Sequence, residues 1–294
     1  MALDGSTRGK GGRPPSSGGT GMTESGTFDY EAKQWGSSRI EPRPSYVQGL
    51  KLRLLLDALR GVEGDVVDIG CGAGNVVRAI AENRPDLRVH GVDVSAGALE
   101  VARRAAPELD FQQASAESLP FEDGSMSAVV MLDVLEHLTD PAAVLREIHR
   151  VLRPAGLFHI VLPLEVQPWT FYRLLTRLGW KAKRHHCGHI QLFDARRFEA
   201  MTTAEGMPLR TVEWSFHWLY SLVDIGYFSF LEVRGPAATS VEDYLVRRRD
   251  VAGAVLRGVK NLAAAFGWYE SRLLQRVPSG VGHFTCIRDS ARSD

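Results

Sequence analysis

Three cysteines in 294 residues, Cys71, Cys187 and Cys286, are too few and too scattered for a disulfide framework, and none has the paired spacing of a zinc site. Net charge is missing as well. Thirty-five Lys and Arg balance 35 Asp and Glu, so no overall field draws the chain to nucleic acid or to an anionic membrane. Nor is there a basic stripe interleaved with aromatics, or an RNA-binding module. No apolar run reaches the roughly 20 residues that span a bilayer, and the N-terminus lacks an apolar signal core. These absences predict a protein of the reducing cytoplasm whose partner is chosen by a site and not by charge. With 44% hydrophobic and 24% charged residues, the chain can bury one α/β core with an insertion, or two small domains.

Residues 1–27 are dominated by Gly, Ser, Thr, Pro and Arg, which bury too little apolar surface to offset the entropy of ordering, and a disordered tail is expected there. Met22 is a candidate translation start, an expectation that an intact mass retaining Met1 would overturn. From Tyr46 to Arg60 apolar residues recur at helical spacing, ended by Gly61 and Gly64. Strand and helix then alternate: strand 65–69, helix 75–83, strand 87–92, helix 96–106, strands near 110–113 and 127–132, helix 141–152, strand 157–162. Asp140 before Pro141 is a strong helix start, and Pro154 a stop. This alternation predicts a doubly wound, mostly parallel sheet covered on both faces.

After Pro163 the regularity loosens. Residues 164–190 mix aromatic and basic side chains, 195–205 read as helix and 209–216 as strand. An aromatic run, Trp218 to Phe230, and a helix between Val251 and Arg276 precede a final strand at 282–288. The expected division is a tail at 1–27, an α/β domain with its N-terminal helix at 28–216, a helical, aromatic insertion at 217–280, and a last strand with its tail at 281–294.

The stretch Val67-Asp68-Ile69-Gly70-Cys71-Gly72-Ala73-Gly74-Asn75 carries the chemistry. An apolar strand runs through alternating glycines into a helix, which lets bare backbone approach a ligand at the carboxyl end of the sheet. Asp93, ending the next strand, can accept hydrogen bonds from both hydroxyls of a ribose. A dinucleotide fingerprint would put glycine where Asn75 stands, and Asp68 suits a ligand bearing an ammonium group better than a pyrophosphate.

With Gly-Val-Asp at 91–93, Ala-Glu-Ser-Leu-Pro-Phe at 116–121, Leu-Asp-Val-Leu-Glu-His at 132–137 and Arg-Val-Leu-Arg-Pro-Ala-Gly at 150–156, the chain resembles the class I S-adenosylmethionine-dependent methyltransferases over residues 64–163. It is most similar in pattern to the small-molecule enzymes of ubiquinone and menaquinone biosynthesis. The resemblance implies a Rossmann-like sheet of seven strands and S-adenosyl-L-methionine as methyl donor. It implies that Gly70, Cys71 and Gly72 pass closest to the methionine part, with Asp68 near its amino group. Asp93 would hold the ribose, Val94 and the Ala116 backbone the adenine, and Leu132 the sulfonium end. Asn75, Ser115, Glu117 and Asp133 complete the expected donor shell. Ser115 stands where an aspartate often meets the adenine amino group, and Ala155 replaces the first glycine of a Gly-Gly pair.

Methyl transfer from a sulfonium is a direct displacement, so alignment is the protein's main task, worth roughly 7–11 kcal/mol. Candidate catalytic residues are Glu136, His137 and His189. The group Asp133, Glu136 and His137 has three readings: it shapes the rim of the site, His137 is a general base titrating near neutrality, or the trio holds magnesium as in ubiquinone-pathway O-methyltransferases. No metal is expected. His189 with Phe193 resembles a Gly-His-x-x-x-Phe element that related enzymes place over the acceptor. His185, His186, Cys187 and His189 are too crowded on one short stretch to close four tetrahedral corners.

The insertion at 217–280 and the segment 164–190 are expected to cap the acceptor. Trp169, Phe171, Tyr172, Trp214, Trp218, Tyr220, Tyr227 and Phe228 either pack these elements down or line a pocket for a large apolar molecule such as a quinone, polyketide or lipid. The Trp218–Phe230 run and Arg247 to Arg249 leave peripheral membrane contact open. The acceptor is expected to be a small or lipophilic molecule methylated at oxygen, nitrogen or carbon, and not a nucleic acid. A binding-only methyltransferase fold and a nicotinamide-dependent oxidoreductase are the alternatives. The glycine spacing and the lack of a Tyr-x-x-x-Lys pair disfavour the latter.

Overall fold

The structure, a computed structural model, describes residues 39–40, 47–234, 262 and 265–290. The expected tail at 1–27, the helix start at Tyr46, the Arg247–Arg249 run and most of the helix expected from Val251 lie outside the described residues.

Seven strands, β1 (Asp65–Ile69), β2 (Arg88–Asp93), β3 (Asp110–Gln113), β4 (Met126–Leu132), β5 (Leu152–Pro163), β6 (Leu209–Ser215) and β7 (Val281–Ile287), form one sheet. Their order is β3-β2-β1-β4-β5-β7-β6, and only β7 runs antiparallel to its neighbours. The chain winds outward from β1 to β3 and then restarts at β4 on the other side of β1, which opens a crevice at the carboxyl ends of β1 and β4.

Among the described residues, helices α1 (Val47–Ala58), α2 (Asn75–Asn83), α3 (Ala96–Ala105), α4 (Pro141–Val151), α5 (Phe171–Arg177), α6 (Ala182–Cys187), α7 (Ala195–Ala204) and α8 (Trp218–Arg234) surround the sheet, and residues 265–273 are helical too. Strand side chains alternate between the two faces. On one face Val67, Ile69, Val129, Met131, Phe158 and Ile160 pack with Val144, Leu145 and Ile148 of α4. On the other Val66, Ala128 and Val130 pack with Leu55 of α1 and Leu59 just after it, Val77 and Ile80 of α2, and Leu99 of α3. Each fully buried aliphatic side chain here is worth about 1.5–3 kcal/mol over an exposed one, which fixes the strand ends that carry the site. The start expected at Asp140 is a real cap, its side chain accepting from Ala143 N at 3.0 Å, and Ser95 caps α3 in the same way, accepting from Ala98 N at 3.0 Å.

Two segments differ from the sequence expectation. β5 begins not at Leu157 but at Leu152, which pairs with Met126 before a detour through exposed Arg153, Pro154 and Ala155. Proline ends the helix and yet leaves the preceding residue extended, so strand pairing resumes at once. The stretch 164–190 contains α5 and α6, and the aromatic run is the 17-residue α8. Among the described residues no helix is long and apolar enough to cross a membrane.

Candidate active site

Gly70, Gly72 and Gly74 follow β1 with φ of 74°, 53° and 79°, angles L-residues seldom adopt. A Cβ on Gly70 would stand 2.4 Å from Val134 Cγ2, so no side chain fits where this loop crosses the end of β4. Gly70 N and Cys71 N donate to Val92 O at 2.7 and 3.0 Å. Asp93, ending β2, closes the loop: its Oδ2 accepts from Gly72 N at 2.8 Å and its Oδ1 from Ser95 N at 2.9 Å. Each oxygen keeps a second lone pair, which is what a ribose diol requires.

Asp68 is 2% exposed and its Oδ2 has no hydrogen-bond partner. Burial, and then the charge of Asp93, hold its carboxyl well above the usual carboxylate range. Such a group gains most from a cationic neighbour. The ammonium of a methionine-derived cofactor is one, so the residues present fit that group. Cys71 contributes backbone only: its side chain lies in the core, and burial pushes its thiol up. Val94 is exposed beside Asp93, and Asn75 is the half-buried first residue of α2. Ser115, Ala116 and Glu117 form a turn beyond β3, with Ser115 Oγ accepting from Glu117 N at 3.3 Å. Leu132 ends β4. The donor residues expected from sequence therefore lie together along the carboxyl ends of β1 to β4.

Beyond β4 the backbone turns at Asp133, whose φ of 53° an aspartate tolerates better than most residues, into a 3-10 turn, Leu135–His137. The turn points Glu136 inward, where it is 1% exposed and neither carboxylate oxygen has a hydrogen-bond partner. Burial, then the charge of Asp133, raises its carboxyl well above the usual range. The Glu136 carbonyl accepts from Ile190 N and Gln191 N, both at 3.0 Å, which docks the segment after α6 against the turn.

That docking brings in His189. Its Nδ1 lies 2.5 Å from Glu165 Oε1, and its Nε2 lies 3.8 Å from Glu136 Oε1. His137 Nε2 is also 3.8 Å from that oxygen, while its Nδ1 is 3.2 Å from the Gly188 carbonyl. The two rings meet edge to face at 5.0 Å. Burial first, and His189 second, lower His137 to about 4. It is thus neutral at pH 7 but a weak base, and the near-neutral titration that made it a base candidate does not hold in the fold. Lys51, reaching from α1, pairs with Asp133 and lies 5.4 Å from the centre of the Phe216 ring.

The histidine-rich stretch splits. His189 turns inward, whereas His185 and His186 lie 2.8 and 3.0 Å from the two Glu232 oxygens of α8. Lys183 and the Tyr172 hydroxyl both reach Asp224 Oδ2, at 3.1 and 2.6 Å, and Trp180 Nε1 donates to Ser229 Oγ at 3.0 Å. These contacts tie α5, α6 and α8 into one unit beside the cluster. Sequence reasoning missed Lys51 and Glu165. A lysine between two leucines of α1, and an acid two residues past the Pro163 strand end, were the available signals.

Residues 67–160 match the family model described as "Methyltransferase domain". The ubiquinone biosynthesis O-methyltransferase of Idiomarina loihiensis is 31% identical over 190 residues, which is 61% of this chain and 77% of that protein. The enzyme of the same name from Alkalilimnicola ehrlichii is 33% identical over 141 residues, 46% of this chain and 56% of that protein, so the chain spans little more than half of some curated relatives. Among solved structures, the YcgJ protein of Bacillus subtilis covers 81% of this chain and 97% of its own, with 21% identity and a TM-score of 0.52. A putative methyltransferase of Bacillus halodurans covers 82% and 99%, with 17% identity and a TM-score of 0.54. The two structures share the fold. Together with the strand order, the family match and the extent of the Idiomarina relative, they establish that this chain belongs to the class I S-adenosylmethionine-dependent methyltransferases.

Proposed function

We propose that this protein methylates an oxygen of a small, lipophilic molecule. The carrying observation is the juxtaposition, at the ends of β1 and β4, of the glycine loop with a buried acid–imidazole cluster that no donor contact requires. When bound, S-adenosylmethionine supplies a methyl group on a sulfonium leaving group. Asp68 would hold its amino group, and Asp93 its ribose. Asp133, Glu136, His137 and His189 would meet the acceptor's hydroxyl, whose proton must leave as the new O–C bond forms and the S–C bond breaks. The curated relatives named O-methyltransferases support oxygen as the atom methylated.

Lipophilic acceptors are favoured by what surrounds the cluster. Trp169, Leu174 and Leu178 around α5, and Trp218, Leu222 and Phe230 on α8, are exposed apolar side chains in a unit tied to the segment that carries His189. Such surface on a peripheral element marks a ligand-facing or membrane-facing region. The test begins with calorimetric titration by S-adenosylhomocysteine, with NADH as the comparison, and continues with labelled donor against a panel of phenols, catechols, carboxylic acids and amines bearing alkyl tails. Methylation of phenols or catechols, increasing with tail length, is expected. Turnover of amines alone would refute the oxygen assignment, and absence of homocysteine-analogue binding would refute the donor site.

A further inference from the structure

We infer that Glu165 and His189 form an acid–imidazole dyad that removes the acceptor's proton: His189 receives it at Nε2, and Glu165, on Nδ1, is the positioning residue. The two side chains come from different elements, Glu165 from just past β5 and His189 from beyond α6, and meet at 2.5 Å with 7% exposure each. Two ionisable groups buried together add little stability over apolar packing of the same volume, so such a pair set in a crevice points to chemistry. With the ring proton on Nδ1 and donated to Glu165 Oε1, the lone pair lies at Nε2. That nitrogen makes no hydrogen bond among the described residues, and Glu136 Oε1 is 3.8 Å from it. Glu136 belongs to the turn that follows Val134, the residue lying against Gly70, so Nε2 stands beside the segment that touches the donor loop. Ile190 N and Gln191 N, bonded to the Glu136 carbonyl at 3.0 Å, hold the ring's own segment there.

The neighbouring groups are poorer proton acceptors. His137 Nδ1 meets the Gly188 carbonyl at 3.2 Å, a neutral partner that stabilises an imidazolium less than a carboxylate does, and burial lowers this ring to about 4. Burial and the charge of Asp133 favour the protonated form of Glu136, and Asp133 itself is engaged by Lys51. In the step assigned to the dyad, the acceptor's proton passes to Nε2 while the acceptor oxygen's lone pair forms the O–C bond and the S–C bonding pair withdraws to sulfur. The imidazolium, held by Glu165, then returns its proton to water. The acceptor this implies is a hydroxyl still protonated when it binds, a phenol, catechol or alcohol, and not a carboxylic acid, which needs no base. The base role rests on the oxygen-methylation reading; the fixed ring tautomer does not.

The test uses the full chain, first by nuclear magnetic resonance with ring-labelled histidine. The neutral His189 ring should carry its proton on Nδ1, far downfield. In Glu165→Gln, whose amide donates as well as accepts, that signal should be lost and the tautomers mix. Turnover is then measured with labelled donor on octylcatechol and on its nitro derivative, whose hydroxyl is already ionised in mildly alkaline buffer. On octylcatechol, His189→Gln should lower kcat about 100–10,000-fold and Glu165→Gln about 10–100-fold, with KM little changed, and Glu165→Asp should recover part of the loss. On the nitro compound both glutamine variants should stay within about tenfold of the parent, a difference that a merely structural role would not produce. Circular dichroism and S-adenosylhomocysteine affinity report folding, and should His189→Gln fail to fold, Glu165→Gln decides. A neutral parent ring protonated on Nε2, equal slowing on the two acceptors, or folded variants as fast as the parent would each overturn the dyad. Turnover of no hydroxyl at all would overturn the oxygen reading alone, and the ring tautomer would then decide whether the dyad is present.

Discussion

Over β1, β2 and β3 the carboxyl end of the sheet is lined by backbone, drawn tight by Gly70, Gly72 and Gly74 and clasped by Asp93. Over β4 and β5 it is side chain: Lys51 from α1, Asp133, Glu136 and His137 from one turn, Glu165 from the end of β5 and His189 from beyond α6. A backbone site tolerates little change, because its shape and the fold are the same thing. A side-chain cluster can be re-equipped without moving the sheet. One family can therefore keep its donor while its acceptors vary.

The largest effect expected of this difference is at Gly70. Gly70→Ala forces a non-glycine residue to a φ of 74° with its Cβ 2.4 Å from Val134. A loss of about 2–4 kcal/mol in urea unfolding, and of more than about 100-fold in S-adenosylhomocysteine affinity, should follow. Glu165→Gln should leave that affinity within about twofold while slowing turnover, since its partner His189 lies outside the donor loop. If the alanine variant binds the analogue like the parent, the backbone description of the donor side fails.

The two halves also use histidine differently, which pH can expose. His90 on β2 lies half-buried between Asp65 and Asp110, at 3.0 and 2.9 Å. His159 on β5 and His283 on β7 are buried, in hydrogen-bond contact with the Thr285 and Ser215 hydroxyls at 3.0 and 2.8 Å. Burial lowers His159 to about 4, and burial with the neighbouring His159 lowers His283 further below its ordinary value. The unfolded chain takes up these protons near pH 6.5 and the folded chain does not, so stability is full above pH 6.5 and falls as the pH drops toward 4. His159 alone accounts for a loss on the order of 3 kcal/mol. Hydrogen exchange corrected for intrinsic rates should show β5, β7 and β6 loosening at pH 4.5 before β1 to β3. His159→Gln should flatten the dependence, and uniform loosening would remove the contrast.

Within the donor half, Asp93 should matter next. Asp93→Ala frees Gly72 N and Ser95 N and removes the ribose acceptor, for about 2 kcal/mol and a 10–100-fold weaker S-adenosylhomocysteine. Asp93→Asn keeps an acceptor oxygen and should fall between. Equal losses in the two variants would mean that the loop's shape, and not the ribose contact, sets affinity.

The donor half was legible in the sequence because its signals are local: glycine spacing and an acid at the next strand end. The half over β4 and β5 was half legible. Glu136, His137 and His189 stood out by residue type, but their meeting depends on backbone bonds from Ile190 and Gln191 to Glu136. Lys51 and Asp133 are 82 residues apart, and no period or spacing connects them. Glu165 lies 24 residues before His189, across two helices whose register the sequence leaves open. Side-chain convergence is a tertiary property, and only the fold reveals it.

The smallest effect tests the reverse proposition, that backbone geometry alone can be improved where no ligand is near. Ala155 has a φ of 59° on the exposed detour between α4 and the regular part of β5. The left-handed region costs an L-residue about 1–2 kcal/mol, and its replacement by glycine costs about 0.4–1 kcal/mol through the freer unfolded chain. Because the alanine side chain is exposed, Ala155→Gly loses almost no packing. The balance favours glycine by about 0.5–1 kcal/mol, roughly 2 °C in melting temperature for a chain of this size, with S-adenosylhomocysteine affinity unchanged. A destabilised variant would mean that the Ala155 methyl packs in solution, and that this detour is held by side chains, as the cluster over β4 and β5 is, and not by backbone alone.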